Sequence, residues 1–172
     1  SMAVLLLSAS VSSGAMADTV FKHGGHTYKI VTEPASWPEA SERAGAMTLG
    51  SNVGYLARVD SSRENTAILN AVMNHLSEEQ LEKTLAEDGS DAPFIWLGGS
   101  DADAEGVWIW SNNGDRFWSG DFNGSGVADR YTNWGVQPDN ATGEEDALAM
   151  GLRDLPEPFF DLGSTGQWND LD

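Results

Sequence analysis

The order of its elements predicts a single α+β domain. Two amphipathic helical patterns lie in the first half between short β-rich runs, and the second half turns to Gly, Asn and Asp with scattered Trp. A chain of 172 residues can bury one core unaided, and with no cysteine it must do so without disulfides. No internal repeat and no linker-like stretch divides it.

Taken in order, Gly25-His26-Thr27-Tyr28-Lys29-Ile30-Val31 alternates and is rich in β-formers, so it reads as a strand. Ser36 then stands as an N-cap before Trp37-Pro38-Glu39-Ala40, with Trp37, Ala40, Ala44 and Met47 at helical spacing. Gly50-Ser51-Asn52 ends that helix, Gly54 to Val59 reads as a short strand, and residues 60–65 offer caps for a second helix. Ile68, Leu69, Val72, Met73 and Leu76 form its apolar stripe, which continues through Leu81 and Leu85. A polar loop is expected over 87–91. Phe94-Ile95-Trp96-Leu97 and Trp108-Ile109-Trp110 read as strands, and long ordered loops follow.

Ahead of these elements, Ala3 to Val11 is an apolar run ending in Gly14-Ala15-Met16-Ala17, an Ala-x-Ala cleavage pattern. Residues 1–17 therefore read as an export signal, with 18–172 as the domain. The run is far shorter than the ~20 apolar residues a membrane-spanning helix needs. The alternative is an ordinary N-terminal helix or an unstructured leader. Export without cysteine points to a bacterial protein that is secreted, periplasmic or held at the cell surface.

Charge narrows the partners. With 27 acidic and 9 basic residues the net charge is −18. Such a chain repels phosphate backbones and anionic lipid, which argues against nucleic acid and against membrane insertion. The excess sits in the second half: residues 87–172 hold 18 acids against Arg116, Arg130 and Arg153. Clustered carboxylates would push long loops apart unless a hard divalent cation held them. Calcium takes six to eight oxygens from carboxylates, amides, backbone and water. Donors of that kind gather at Asp101/Glu105, Gln137-Pro138-Asp139-Asn140, Glu144-Glu145-Asp146 and Asn169-Asp170.

Several short motifs stand in register with these clusters: Trp37-x-x-Ala40, Glu64-Asn65, Trp96-Leu97-Gly98-Gly99, Glu105-Gly106-x-Trp108-x-Trp110, Asn133-Trp134, Gln137-Pro138-Asp139, Glu145-Asp146 and Trp168-Asn169-Asp170. Together they resemble the C-type lectin-like domain from about Gly25 to the end of the chain. The resemblance implies two helices, small antiparallel sheets and a long-loop region that binds Ca2+. It places a principal, sugar-contacting calcium on Gln137, Asp139, Glu145, Asn169 and Asp170, with Pro138 as a cis proline. A second, structural calcium would take Asp101, Glu105, Asn140, Glu145 and Asp146. It further implies that two adjacent sugar hydroxyls replace waters on the principal ion. In that family Gln-Pro-Asp goes with galactose-type sugars and Glu-Pro-Asn with mannose-type.

Three departures from the pattern matter. Galactose binders of this kind carry a Trp after Gln-Pro-Asp, whereas Asn140-Ala141-Thr142-Gly143-Glu144 has no aromatic, which leaves Trp118 or Trp134 as substitutes. Ala44 and Ala147 stand where the family has cysteines. The family also continues past Trp-Asn-Asp into a last strand, so the expectation is a domain lacking that strand.

Bland readings exist for each motif taken alone. Asn169-Asp170 reads as a turn, Gln137-Pro138-Asp139 likewise, and Asp101/Glu105 as a solvated loop. Asp121-x-Asn123-x-Ser125 imitates an EF-hand start but has Thr132 where Glu is required. His23, His26 and His75 form no metal-ligand spacing. No Ser/His/Asp arrangement is recognisable, and paired carboxylates lying among other oxygen donors lack the apolar pocket that keeps a general acid protonated. The expectation is therefore not an enzyme but calcium-dependent carbohydrate binding, in adhesion or glycan capture. The alternatives are a calcium-stabilised protein-binding or adhesin domain, and ice binding. The sequence leaves the oligomeric state open.

Overall fold

The computed structural model describes the backbone of residues 2–7 and the whole of 19–86, 91–156 and 163–172. The strands are β1 (Met2–Leu7), β2 (Thr19–His23), β3 (His26–Val31), β4 (Thr48–Leu49), β5 (Asn52–Leu56), β6 (Phe94–Ser100), β7 (Val107–Trp110), β8 (Arg116–Ser119), β9 (Ser125–Gly126), β10 (Ala147–Gly151) and β11 (Trp168–Leu171). The helices are α1 (Trp37–Ala46), α2 (Ser62–His75) and α3 (Glu78–Leu81), with one 3-10 turn at Glu82–Thr84. None is long and apolar enough to cross a membrane, among the described residues.

All the strands join one curled sheet running β2-β3-β1-β6-β7-β8-β9, with β10 carried on β6, β11 on β10, and the β4–β5 hairpin on β1. Most pairings are antiparallel, but β1 runs parallel to β3 and β5. The sheet is therefore mixed and larger than the small antiparallel sheets expected. The β-rich run before α1 is the second arm of a hairpin, because Gly24 and Gly25 take positive φ and let β2 fold back on β3.

The long apolar stripe does not form one helix. Leu76 leaves helical geometry, and Ser77 starts α3 with a reciprocal cap: its hydroxyl accepts from Gln80 N, and Gln80 Oε1 accepts from Ser77 N at 2.8 Å. Among the described residues there are three helices where two were expected, since Ser-x-x-Gln is a start signal that interrupts the apolar period. The fifth strand ends at Leu56, short of the expected Val59. Asn169 and Asp170 lie in β11, not in a turn. The cleavage pattern at residues 14–17 and the polar stretch 87–90 lie outside the described residues.

Two apolar clusters hold the fold. One gathers Tyr28, Ile30, Ile68, Val72, Leu97, Trp108, Trp110, Phe117, Leu148 and Trp168; the other gathers Ala40, Ala44, Leu56, Phe94, Trp96, Ala147, Ala149 and Leu171. Ala44 and Ala147 thus sit in one apolar cluster. Trp96 Nε1 donates to Ala35 O and Trp37 Nε1 to Leu97 O, each at 2.8 Å, which fixes the start of α1 on β6. Both rings bury carbon area while each N–H keeps a backbone acceptor.

Candidate metal centre

Two segments build the site, and the first is rigid. In β11, Asn169 pairs with Ala149 and Asp170 with Leu148 of a wholly buried β10. The strand is anchored next door by Trp168, whose Nε1 donates to Asn65 Oδ1 at 2.8 Å. Asn65 Nδ2 donates to Gly166 O at 2.9 Å, and Asn133 Nδ2 reaches the same carbonyl at 2.7 Å. The Glu64-Asn65 pair thereby acquires roles that its sequence position did not reveal. Asn65 ties α2 to the entry of β11, and Glu64 accepts from the Tyr28 hydroxyl and from Asp60 N.

The second segment is the loop 137–145. Its Gln137–Pro138 peptide bond is cis, as the resemblance implies. Asn140 takes a left-handed φ of 46°, a conformation asparagine tolerates better than most residues. The loop closes on itself and on β11: Asn140 N donates to Asp170 Oδ2 at 2.8 Å, Asp139 N to Asp170 Oδ1 at 3.3 Å, Ala141 N to Glu145 Oε2, and Glu145 N to Asn140 Oδ1 at 3.1 Å.

These folds bring Asp139, Glu145 and Asp170 together, with one carboxylate oxygen of each within 4.8 Å of the others. Among the described residues this is the one such trio. Asp139 is exposed, whereas Glu145 and Asp170 are buried. Gln137 and Asn169 are also buried, and their amide oxygens Oε1 and Oδ1 accept no hydrogen bond. Burial and the Asp170 charge push the Glu145 carboxyl up to about 7, against the backbone N–H of Ala141. Burial also pushes Asp170 up to about 6, with the Asp139 charge adding to it and the backbone N–H groups of Asn140 and Asp139 opposing it. In each case burial disfavours the ionised form.

A second group surrounds Asp101. Its Oδ2 accepts from Gly106 N at 2.8 Å, while Oδ1 is buried without a partner. Burial first, then the charges of Glu105 and Asp146, raise its carboxyl to about 6. Asp101 N also donates to Asp146 O at 3.3 Å, joining this turn to the start of β10. Asn140 is hydrogen-bonded within the first group, to Glu145 and Asp170.

The donor set fits a hard divalent cation. Every candidate ligand is a carboxylate or an amide oxygen, and buried oxygens without donors are costly unless something positive meets them. Gln137, Asp139, Glu145, Asn169 and Asp170 could hold one ion, and Asp101, Glu105 and Asp146 could contribute to another.

The two tryptophans named as sugar platforms are engaged elsewhere. Trp134 packs edge-on to Trp108 at 4.9 Å and near Phe117 and Trp168. Trp118 Nε1 donates to Gly120 O at 3.1 Å and to Asp121 O at 3.2 Å, holding its own loop. Phe122 is exposed on that loop. Asp121 Oδ1 accepts from Asn123 N at 2.8 Å, a local turn.

Comparison with known proteins gives related chains but no matching family model. The chain is 31% identical over 139 residues to halomucin of Haloquadratum walsbyi, covering 78% of this chain and 1% of that protein. It is 29% identical over 152 residues to ladderlectin of Oncorhynchus mykiss, covering 88% of this chain and 58% of that one. The chain thus spans under two thirds of both relatives. Its fold is similar to the structure of the EPNH mutant of CEL-I, with a TM-score of 0.53 and 23% identity over 79% of this chain and 73% of that one. The fold is lectin-like.

Proposed function

We propose that this chain is an exported, calcium-dependent carbohydrate-binding module that binds and does not catalyse. One observation carries the reading. The amide oxygens of Gln137 and Asn169 are buried and accept no hydrogen bond, and Asp139, Glu145 and Asp170 bring one carboxylate oxygen each within 4.8 Å of the others. The similarity to ladderlectin and the lectin-like fold support carbohydrate as the ligand class.

When bound, calcium would supply coordination places for two vicinal sugar hydroxyls. The protein's own groups do the rest. Asp139, the exposed member of the trio, accepts a hydrogen bond from a sugar hydroxyl, and the amide N–H groups of Gln137 and Asn169 donate to hydroxyl oxygens. Asp170, held between two backbone N–H groups, fixes the loop that carries Asp139. Gln137-Pro138-Asp139 favours a galactose-type arrangement. Asp101, Glu105 and Asp146 would serve a second, structural ion, while Asn140 and Glu145 belong to the first group.

Monosaccharide affinity at such an open site is expected near ~1 mM, about −4 kcal/mol, so useful retention needs several copies or a branched glycan. The leader-like run at 1–17 supports export. A glycan array probed with the full chain in calcium should show galactose-terminated hits that disappear with chelator and with Asp139→Ala.

The absence of an aromatic in 140–144, with Trp118 and Trp134 occupied, favours one other reading: a calcium-stabilised protein-binding or adhesin domain. That module would melt lower in chelator yet give no array hit. Ice binding by the same loops would appear as thermal hysteresis.

A further inference from the structure

Two chain segments carry the oxygen donors of the candidate metal centre, and one backbone carbonyl ties both. Gly166 O, at the entry of β11, accepts from Asn65 Nδ2 at 2.9 Å and from Asn133 Nδ2 at 2.7 Å. A carbonyl oxygen has two lone pairs, so these two amides fill it. Its own place is set from the other side, because Gly166 N donates to Gly151 O at 2.8 Å and Gly151 N to Gln167 O at 2.9 Å, at the end of β10. Asn65 is a buried residue of α2, and Asn133 opens the stretch that leads into the loop 137–145.

Beyond this node the two segments run side by side. Trp168 N donates to Asn133 O at 2.8 Å and Gly135 N to Trp168 O at 3.1 Å, a parallel bridge that sets Trp134 against Trp168. The oxygen donors follow at once. Asn169 lies one peptide beyond Trp168, about 3.8 Å along the chain, and Gln137 two beyond Gly135, roughly 7 Å when extended. So short a lead cannot absorb an error in the bridge. A slip of one residue would carry Gln137 and Asp139 roughly 3.3 Å past Asn169 and Asp170, more than the whole length of a calcium–oxygen bond at about 2.3–2.6 Å. The bonds from Asp139 N and Asn140 N to Asp170 depend on the same alignment.

We propose that Asn133 is a positioning residue of the metal centre: its side-chain amide, seated on Gly166 O beside Asn65, sets the register in which the loop 137–145 meets β11 before any ion binds. It acts through the backbone of Gly135 and Trp168 and not as a ligand. That the ion is calcium rests on the function proposed above, whereas the preset register does not.

Hydrogen exchange of the full chain in chelator reads that register directly. In Asn133→Ala the N–H groups of Asp139 and Asn140 should exchange about tenfold faster than in the parent, while Gly98 N–H, whose acceptor Ala57 O has no part in the node, changes by less than about twofold. Calcium, titrated where both proteins are fully folded by near-ultraviolet circular dichroism, should bind roughly tenfold more weakly to the variant. Ile68→Val, a change in the buried core of α2, is the reference for general destabilisation and should leave both readouts at the parent's values. Asn133→Gln, which keeps the amide but displaces it by one methylene, takes the place of Asn133→Ala if that variant does not fold. Exchange that rises alike at Asp139, Asn140 and Gly98 would overturn the proposal, since Asn133 would then serve only the fold. Unchanged exchange at Asp139 and Asn140, or calcium bound as tightly as by the parent, would overturn it too. A parent that binds no calcium, with exchange altered as expected, would strike the calcium reading and uphold the preset register.

Discussion

Asp170 shows what the site demands of a single side chain. It is buried in β11, accepts two backbone N–H groups of the loop 137–145, and still carries a raised pKa because burial disfavours its charge, with the Asp139 charge adding to that. Asp170→Asn removes one of the crowded charges. In chelator the lost acceptor offsets the relieved repulsion, so the variant should melt close to the parent, while the calcium-induced rise in melting temperature should vanish; scanning calorimetry reads both. The pH dependence follows from the same groups. Glu145 near 7 and Asp170 near 6 lie above the ordinary carboxylate range around 4, so the folded chain holds more protons than the unfolded one between those values. For these two groups, metal-free stability is fully present below about pH 4 and is lost as pH rises through 6 to 7. Calcium affinity should rise over that window, because the ligands must shed protons to bind. Melting curves at pH 5 and pH 8, with calcium and with chelator, should move in opposite directions.

At the scale of elements, close backbone approach decides what β6 tolerates. A Cβ on Gly98 would lie 2.5 Å from Leu56 O, and Gly98 N donates to Ala57 O at 2.8 Å. Gly98→Ala should therefore cost about 2 kcal/mol, lowering the melting temperature by roughly 4–8 °C. Both α1 and α2 were legible in the sequence because cap and apolar period agree, with Ser36 and Ser61 at their starts. The stripe misleads beyond Leu76, where Ser77 and Gln80 cap each other and restart the helix. The oxygen-rich clusters were legible as clusters, and the structure hydrogen-bonds the loop 137–145 to Asp170. What local pattern could not supply was strand pairing at long range. Asn169-Asp170 looks like a turn until β10 is known to lie beside it, and nothing local in the apolar run 2–7 shows that it pairs with three strands. The Asn65–Trp168 hydrogen bond spans 103 positions, beyond any periodicity.

Across the whole molecule, a net charge of −18 makes self-repulsion a standing cost of compactness. Few basic groups offset it, and two of them share one acid: Arg58 and Arg130 meet Asp115 at 2.7 and 3.0 Å, tying the end of β5 and the long loop to the β7–β8 turn. Raising sodium chloride from 0.05 to 1 M should increase the metal-free melting temperature, since the Debye length falls from over 10 Å to about 3 Å. Saturating calcium should add a further increase at either salt concentration, because coordination is local to buried oxygens. The most direct test of a shared divalent ion is a calorimetric calcium titration of the full chain at pH 7.5 beside Asp139→Ala and Glu145→Gln. A saturable isotherm in the parent that loses at least one equivalent in both variants is the predicted result. A folded parent that gives no saturable heat, or variants that titrate like it, would contradict a metal centre at these residues.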